Sequence, residues 1–490
     1  MGLEVPEPYT ESRIRGTVRR SEVHSHRALE LYPKKHEHSG DFRGHLHFAL
    51  KNEPTNLAVL YAAFKKSGPT PIREWALQEP TGLYSRKAWF LYEFLSGETI
   101  DLPNAKTGKH ADVLNPKHHI VASRQTSTRH RLWNNLLGVP GYCPTIRRTQ
   151  KLAVRIAEAL DKEVAAMTRA VDPDILRRAI SYLYSKETKS TFEIEGEKPS
   201  PQREQRFVSA LADVARFDLF DKAALIELQN KIVDPRYAAK DWRDFQNFVG
   251  ETVEGYRETV HLVCPKPGDV NDLMMALMKA GRRVTANGVD PVIAAALVSF
   301  GFVFIHPFED GNGRIHRFLI HNVLAKTGFT PEGLIFPVSV AIVRDRRGYD
   351  AALETFSKPL LSLIKWRLNA KLELVVEGNT AHHYRYFDAT ALAEYLYDRV
   401  AETIHKDLAG ELDFLQIYDR AYRAVRDVVD MPNRKVSLFV RICMQNDGRL
   451  PKGRRKMFAE LTDAEITAME SAIRLAQKVR REEKVADSDL

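Results

Sequence analysis

The chain has 490 residues, 28% of them charged and 44% hydrophobic, a balance ordinary for a globular protein with room for two or three domains. Three scattered cysteines, Cys143, Cys264 and Cys443, give neither a disulfide framework nor a zinc pattern. The chain does not open on a secretory leader, so reduced thiols in a cytoplasmic protein are expected.

The net charge of +9 is uneven, because residues 1–150 hold 22 Lys and Arg against 14 Asp and Glu, with ten of the 17 histidines. His24, His26, His36, His38, His45 and His47 follow no ligand spacing and predict a solvated surface or a basic docking face. Nucleic acid and an acidic protein are both open as partners of such a face. Residues 1–50 read as polar and loosely ordered at the start. "TNLAVLYAAFKK" (55–66) and "SRKAWFLYEFLSG" (85–97) carry helical spacing, suited to a winged-helix-like module. "DLPNAKTGKHADVLNPKH" (101–118) is loop-like, and a domain boundary is expected near 150.

From 151 onward helical patterns dominate. Asp172-Pro173 and Asp290-Pro291 each predict an N-cap followed by proline at the first helical position. Between them "RETVHLVCPKP" (257–267) is the clearest strand-like interruption. Residues 371–490 return to amphipathic helices, with a capping box from Thr462 to Glu465 before the last. The basic run "KGRRK" (452–456) reads as a solvated face. The uncharged run Val292–Ile305 is too short to cross a bilayer and predicts a buried helix.

That run leads directly into "HPFEDGNGRIHRF" (306–318). The glycines of Gly311-Asn312-Gly313 interrupt helical order, and Ile315, Phe318, Leu319 and Val323 then recur at helical spacing. A helix N-terminus is therefore expected at the glycines, where free backbone N–H groups and the macrodipole favour an anion. Arg314 and Arg317 share one face of that helix and can grip phosphate oxygens. Asp310 is an oxygen ligand suited to Mg²⁺. His306 has the side chain best matched to taking a proton near neutral pH. Together they are the equipment for moving a phosphate-containing group to a hydroxyl.

The stretch resembles the signature of Fic-domain proteins, His-Pro-Phe-x-(Asp/Glu)-Gly-Asn-Gly-Arg-x-x-Arg, with every fixed position present. The resemblance implies a mainly α-helical fold: a Fic-type core over 151–370 with a short β-hairpin flap, between a basic N-terminal domain and a C-terminal helical extension. It implies transfer of AMP from Mg-ATP to a hydroxyl of a target protein. In that scheme His306 deprotonates the hydroxyl, Asp310 holds Mg²⁺, and Gly311, Asn312 and Gly313 form the anion hole. Arg314 and Arg317 bind the terminal phosphates, and Phe308 anchors the loop. The strand at 257–267 resembles part of the flap, which aligns a target by strand addition.

Upstream, "TFEIEG" (Thr191 to Gly196) is similar to the family's inhibitory pattern, (Ser/Thr)-x-x-x-Glu-(Gly/Asn), on a helix near 173–196. There Glu195 would pair with Arg317 and block productive ATP placement. Gly313 stands where the phosphate-transferring branch carries lysine, which favours nucleotidyl transfer. The alternatives are AMP removal, transfer of another phosphate-containing group, and a nucleic-acid-binding regulator with a Fic core as sensor. A homodimer is left open.

Overall fold

The computed structural model describes residues 2–24, 27–253, 257–286 and 288–488. Helices dominate it, and the small sheets have two or three strands each. Three hydrophobic clusters organise the chain. The first runs from Leu46 to Cys143 and takes in Tyr386, the second and largest runs from Ile120 to Leu415, and the third from Ala421 to Ala476.

The N-terminal region is more ordered than its composition suggests. Strand Thr10–Ile14 lies parallel to Arg27–Tyr32, which pairs antiparallel with Arg20–His24. Ala28 and Tyr32 turn inward from the middle strand, which ties an otherwise polar segment down. Helices follow at Phe42–Asn52, Leu57–Ser67 and Thr70–Gln78, all packed against Leu83–Ser96. Asn56 caps the second, its side chain accepting from the Val59 N–H. The fourth ends at Gly97 in the left-handed region. Just before the expected boundary near 150, the chain is stitched to a distant segment. Cys143 and Thr145 donate to the carbonyls of Arg385 and Phe387, and Ala389 donates back to Thr145.

In the central region both aspartate–proline starts are realised. Asp172 caps helix Pro173–Ile194 and Asp290 caps Pro291–Ile305, in each case with proline in the first turn. Pro291–Ile305 is buried along almost its whole length, leaving only Pro291 and Val303 partly accessible. Each large apolar side chain so removed from water contributes about 1.5–3 kcal/mol. This helix therefore forms a rigid floor, and Asn312–Lys326 packs along it. The expected strand ends at Val263, because Pro265 and Pro267 cannot extend the ladder. Its partner, Phe248–Val253, carries no clear strand signal in the sequence. The pair forms an antiparallel hairpin with a register shift between Val249 and Gly250.

The helical extension expected from 371 begins differently. A short hairpin, Trp366–Leu368 with Leu374–Val376, spans that position. The central core then runs on through helix Thr390–Glu402 to Leu415. Only after that do Ala409–Val428, Asn433–Met444 and Asp463–Ser488 enclose the third cluster. The capping box before the last helix is reciprocal: Thr462 Oγ1 accepts from Glu465 N–H, and Glu465 accepts from Thr462 N–H.

Candidate active site

The site is the junction of two helices. Pro291–Ile305 ends at His306, which sits in the left-handed region (φ 52°, ψ 60°) and donates its N–H to Phe302 O. That conformation is sparsely populated for a non-glycine residue and needs support from its surroundings. His306 Nδ1 lies 3.1 Å from Val303 O. A carbonyl can only accept, so Nδ1 carries the proton and Nε2 keeps its lone pair. Burial pushes the imidazole down to about 4, with Arg243 adding to this and Val303, Glu195 and Asp310 opposing it. At neutral pH His306 is an uncharged base.

The next helix, Asn312–Lys326, opens behind Gly311 (φ 89°), which offers no side chain to cap it. Its first-turn N–H groups make the kind of anion cradle that helix N-termini provide. The Asn312 side chain does something else. It accepts from Phe308 N–H at 3.0 Å and donates to Phe308 O at 2.8 Å, so it pins the loop. Phe308 itself is fully buried against Trp242.

Asp310, Arg314, Arg317 and Glu195 come together here, and their charges are already matched in two pairs. Arg317 is 1% exposed, and its Nη2 donates to Glu195 Oε1 at 2.6 Å and to Thr191 O at 2.9 Å. Its Nε donates to Thr191 Oγ1. The Glu195 carboxylate also presses on the cradle: a Cβ placed on Gly313 would meet Glu195 Oε1 at 2.2 Å. Burial pushes the Glu195 carboxyl up, but Arg317, with Arg314 and His306 beyond it, outweighs this and holds it below its ordinary value.

A Schellman stop aims the acid. Helix Pro173–Ile194 ends with Gly196 at φ 70°, Gly196 N–H donating to Glu193 O and Glu197 N–H to Phe192 O. Only glycine, or less readily asparagine, tolerates that position, which accounts for the last letter of the pattern. Thr191 accounts for the first, since its hydroxyl and its carbonyl both hold Arg317.

Three residues escaped the sequence reasoning. Glu197 comes round after the Gly196 reversal and lies 3.2 Å from Arg314, itself held by Arg203 at 2.8 Å. Gln229 donates to Asp310 O at 3.2 Å. Arg346 donates to Ile194 O at 2.8 Å and fixes the end of the Glu195 helix. Glu197 had a signal of sorts, a second acid just past a helix-stopping glycine. The other two are far away in sequence and had none.

Asp310 Oδ1 accepts from Arg314 at 2.6 Å and from Gly311 N–H at 2.5 Å. Its side chain is 38% exposed, so a carboxylate oxygen remains for a cation. Among the described residues no group of three or more His, Cys, Asp or Glu could hold a metal by itself. A lone carboxylate fits Mg²⁺ that takes its other ligands from phosphates and water. The hairpin 248–263 is a sheet of its own, so among the described residues its outer edges have no strand partner.

Residues 219–324 match the family model described as Fic/DOC family. Among curated proteins, the protein adenylyltransferase Fic of Drosophila grimshawi is 34% identical over 110 residues, 22% of this chain and 20% of that protein. That of Drosophila mojavensis is 40% identical over 67 residues, 14% of this chain and 13% of that protein. The matched segment thus spans a fifth or less of those relatives. A crystal structure of a Fic family protein from Desulfovibrio desulfuricans G20 aligns with 58% of this chain and 82% of its own, at 18% identity and a TM-score of 0.39. No helix among the described residues is long and apolar enough to cross a membrane. With the complete motif at the mouth of its buried helix and the family model matching around it, this chain carries a Fic/DOC-type domain over residues 219–324.

Proposed function

We propose that the protein is an adenylyltransferase that moves AMP from Mg-ATP to a hydroxyl of a target protein and is held off by Glu195. His306 Nε2 takes the hydroxyl proton, the freed oxygen attacks the α-phosphorus, and the bond to the β-phosphate breaks with release of pyrophosphate. The cradle at Gly311–Gly313, with Arg314 and Arg317, carries the phosphate charge. Asp310 would hold Mg²⁺, which would supply charge neutralisation at the phosphates. A target segment would dock along an open edge of the hairpin 248–263 by strand addition. The matched Drosophila proteins are named as protein adenylyltransferases, which supports the same chemistry for this domain.

One observation carries the proposal: an anion, the Glu195 carboxylate, already rests on Arg317 and against Gly313. A site that accepts a carboxylate there is built for a negatively charged group, and a carboxylate in it competes with phosphate. The test is incubation of the full chain and its Glu195→Gly variant with lysate and ATP labelled at either the α- or the γ-phosphate. The α-label should move to protein and the γ-label should not. Transfer of the γ-label would establish phosphoryl transfer instead, and transfer of neither would reject the proposal. If the variant loses an ability to release AMP from modified protein, removal is the native direction.

A further inference from the structure

We propose that Arg243 is the positioning residue for His306, fastening the loop that carries the base to the feet of the hairpin. Every acceptor of its guanidinium is a main-chain carbonyl, and they come from two places. On the loop side, Nε donates to His306 O at 2.8 Å, Nη2 reaches Ile305 O at 3.5 Å, and the Arg243 N–H donates to Pro307 O at 2.8 Å. On the hairpin side, Nη1 donates to Phe245 O at 2.7 Å and Nη2 to Pro265 O at 2.7 Å. Phe245 and Pro265 flank the strands Phe248–Val253 and Arg257–Val263 just outside the ladder. Arg243 itself is 5% exposed.

Two physical needs meet at this residue. The last carbonyls of Pro291–Ile305 lack intrahelical partners and form the negative end of a buried helix. His306 N–H takes Phe302 O and the imidazole takes Val303 O, while the Arg243 cation reaches Ile305 O and His306 O. The second need is to keep His306 left-handed. Its carbonyl is fixed by Arg243 and its N–H by Phe302, so both peptide planes flanking the residue are held. The side chain then has little choice but to turn back onto Val303 and present Nε2 outward. A lysine could not do this, because acceptors diverging in three directions need the planar fork of a guanidinium. Since the same fork holds both hairpin feet, it also fixes the base relative to the strand that would carry the target. Arg243 touches none of the reacting atoms, so its effect on the rate passes through His306.

The rate readout rests on the transfer proposed above, whereas the structural readout does not. Full-length Glu195→Gly protein and its Arg243→Lys and Arg243→Ala derivatives would be labelled with ¹⁵N-histidine, and the His306 signal assigned by His306→Gln. The parent should show His306 as a single Nδ1–H tautomer, and both derivatives should show tautomers in exchange. With α-labelled ATP, kcat should fall by about 10- to 100-fold, the scale expected for a misplaced reacting group. KM for ATP should stay within about twofold, because the cradle does not depend on Arg243. Free guanidinium at subdenaturing concentration should restore part of the rate of Arg243→Ala. If the alanine variant fails to fold, the lysine variant decides alone. An unchanged tautomer in Arg243→Lys overturns the proposal whatever the rates do, as does a loss shared equally between kcat and KM for ATP. If the Glu195→Gly parent transfers nothing, the transfer proposal fails separately and the tautomer decides this one.

Discussion

The two ends of the loop from His306 to Asn312 are prepared in different ways. At the His306 end, the proposed base has a neutral ring, a fixed tautomer and a backbone held on both sides. At the Asn312 end the groups that would meet phosphate are occupied. Glu195 lies on Arg317 and Gly313, and Glu197 and Asp310 share Arg314. One end is poised and the other is plugged with carboxylates. On the proposed reading, the difference puts control on the nucleotide side and leaves the base alone. A small movement of one helix end could then start catalysis without rebuilding the base.

If the poised end is poised for proton transfer, removing the base should give the largest effect. His306→Ala should slow transfer by about 10²–10⁴-fold, with ATP affinity nearly unchanged. A parental rate in labelling assays would break the comparison at its first term. Asp310→Ala should come next, lowering Mg²⁺-dependent transfer by about 100-fold, while the exposed Glu309→Ala should matter little. The reverse order in a metal titration would move the metal ligand to Glu309.

The pH profile sharpens the same end. With His306 pushed down to about 4, the neutral, proton-accepting form prevails above that value and is lost as pH falls through it. Transfer by the Glu195→Gly protein should therefore hold nearly level from pH 7 to about 5 and decline below. An ordinary histidine would be about nine-tenths protonated at pH 5.5 and would cut the rate tenfold there. On the plugged end, Glu197→Gln should raise transfer by only about two- to fivefold, the scale of a partly exposed ion pair. A gain matching that of a Glu195 variant would make the two acids equal partners in inhibition.

How much of this was legible in the sequence depends on how local the cause is. The buried helix, both aspartate caps and the reciprocal box at Thr462 follow from neighbouring residues and were readable. So was the junction at Gly311, because a glycine pair between two helical patterns leaves few other structures. The Glu195–Arg317 pair was reachable through resemblance, with the partners 122 positions apart. Strand Phe248–Val253 was missed because Gly250 and Glu251 interrupt its four strand-favouring residues, and pairing with its partner completes it. The core's extension to Leu415 was missed because helix Thr390–Glu402 looks like any amphipathic helix until the surface it covers is known. Arg243 and Gln229 act through main-chain carbonyls, and such acceptors leave no signature in sequence.

The most direct test of the central claim is the rate of α-labelled AMP incorporation by the full chain, its Glu195→Gly variant, and Glu195→Gly combined with Arg317→Ala. Charge-assisted hydrogen bonds contribute about 1.5–3 kcal/mol each, so freeing Arg317 for ATP should raise transfer by about 10- to 100-fold. Removing Arg317 as well should erase that gain, because the two residues are in contact and their effects are not additive. A Glu195→Gly rate at or below the parent's would contradict the account.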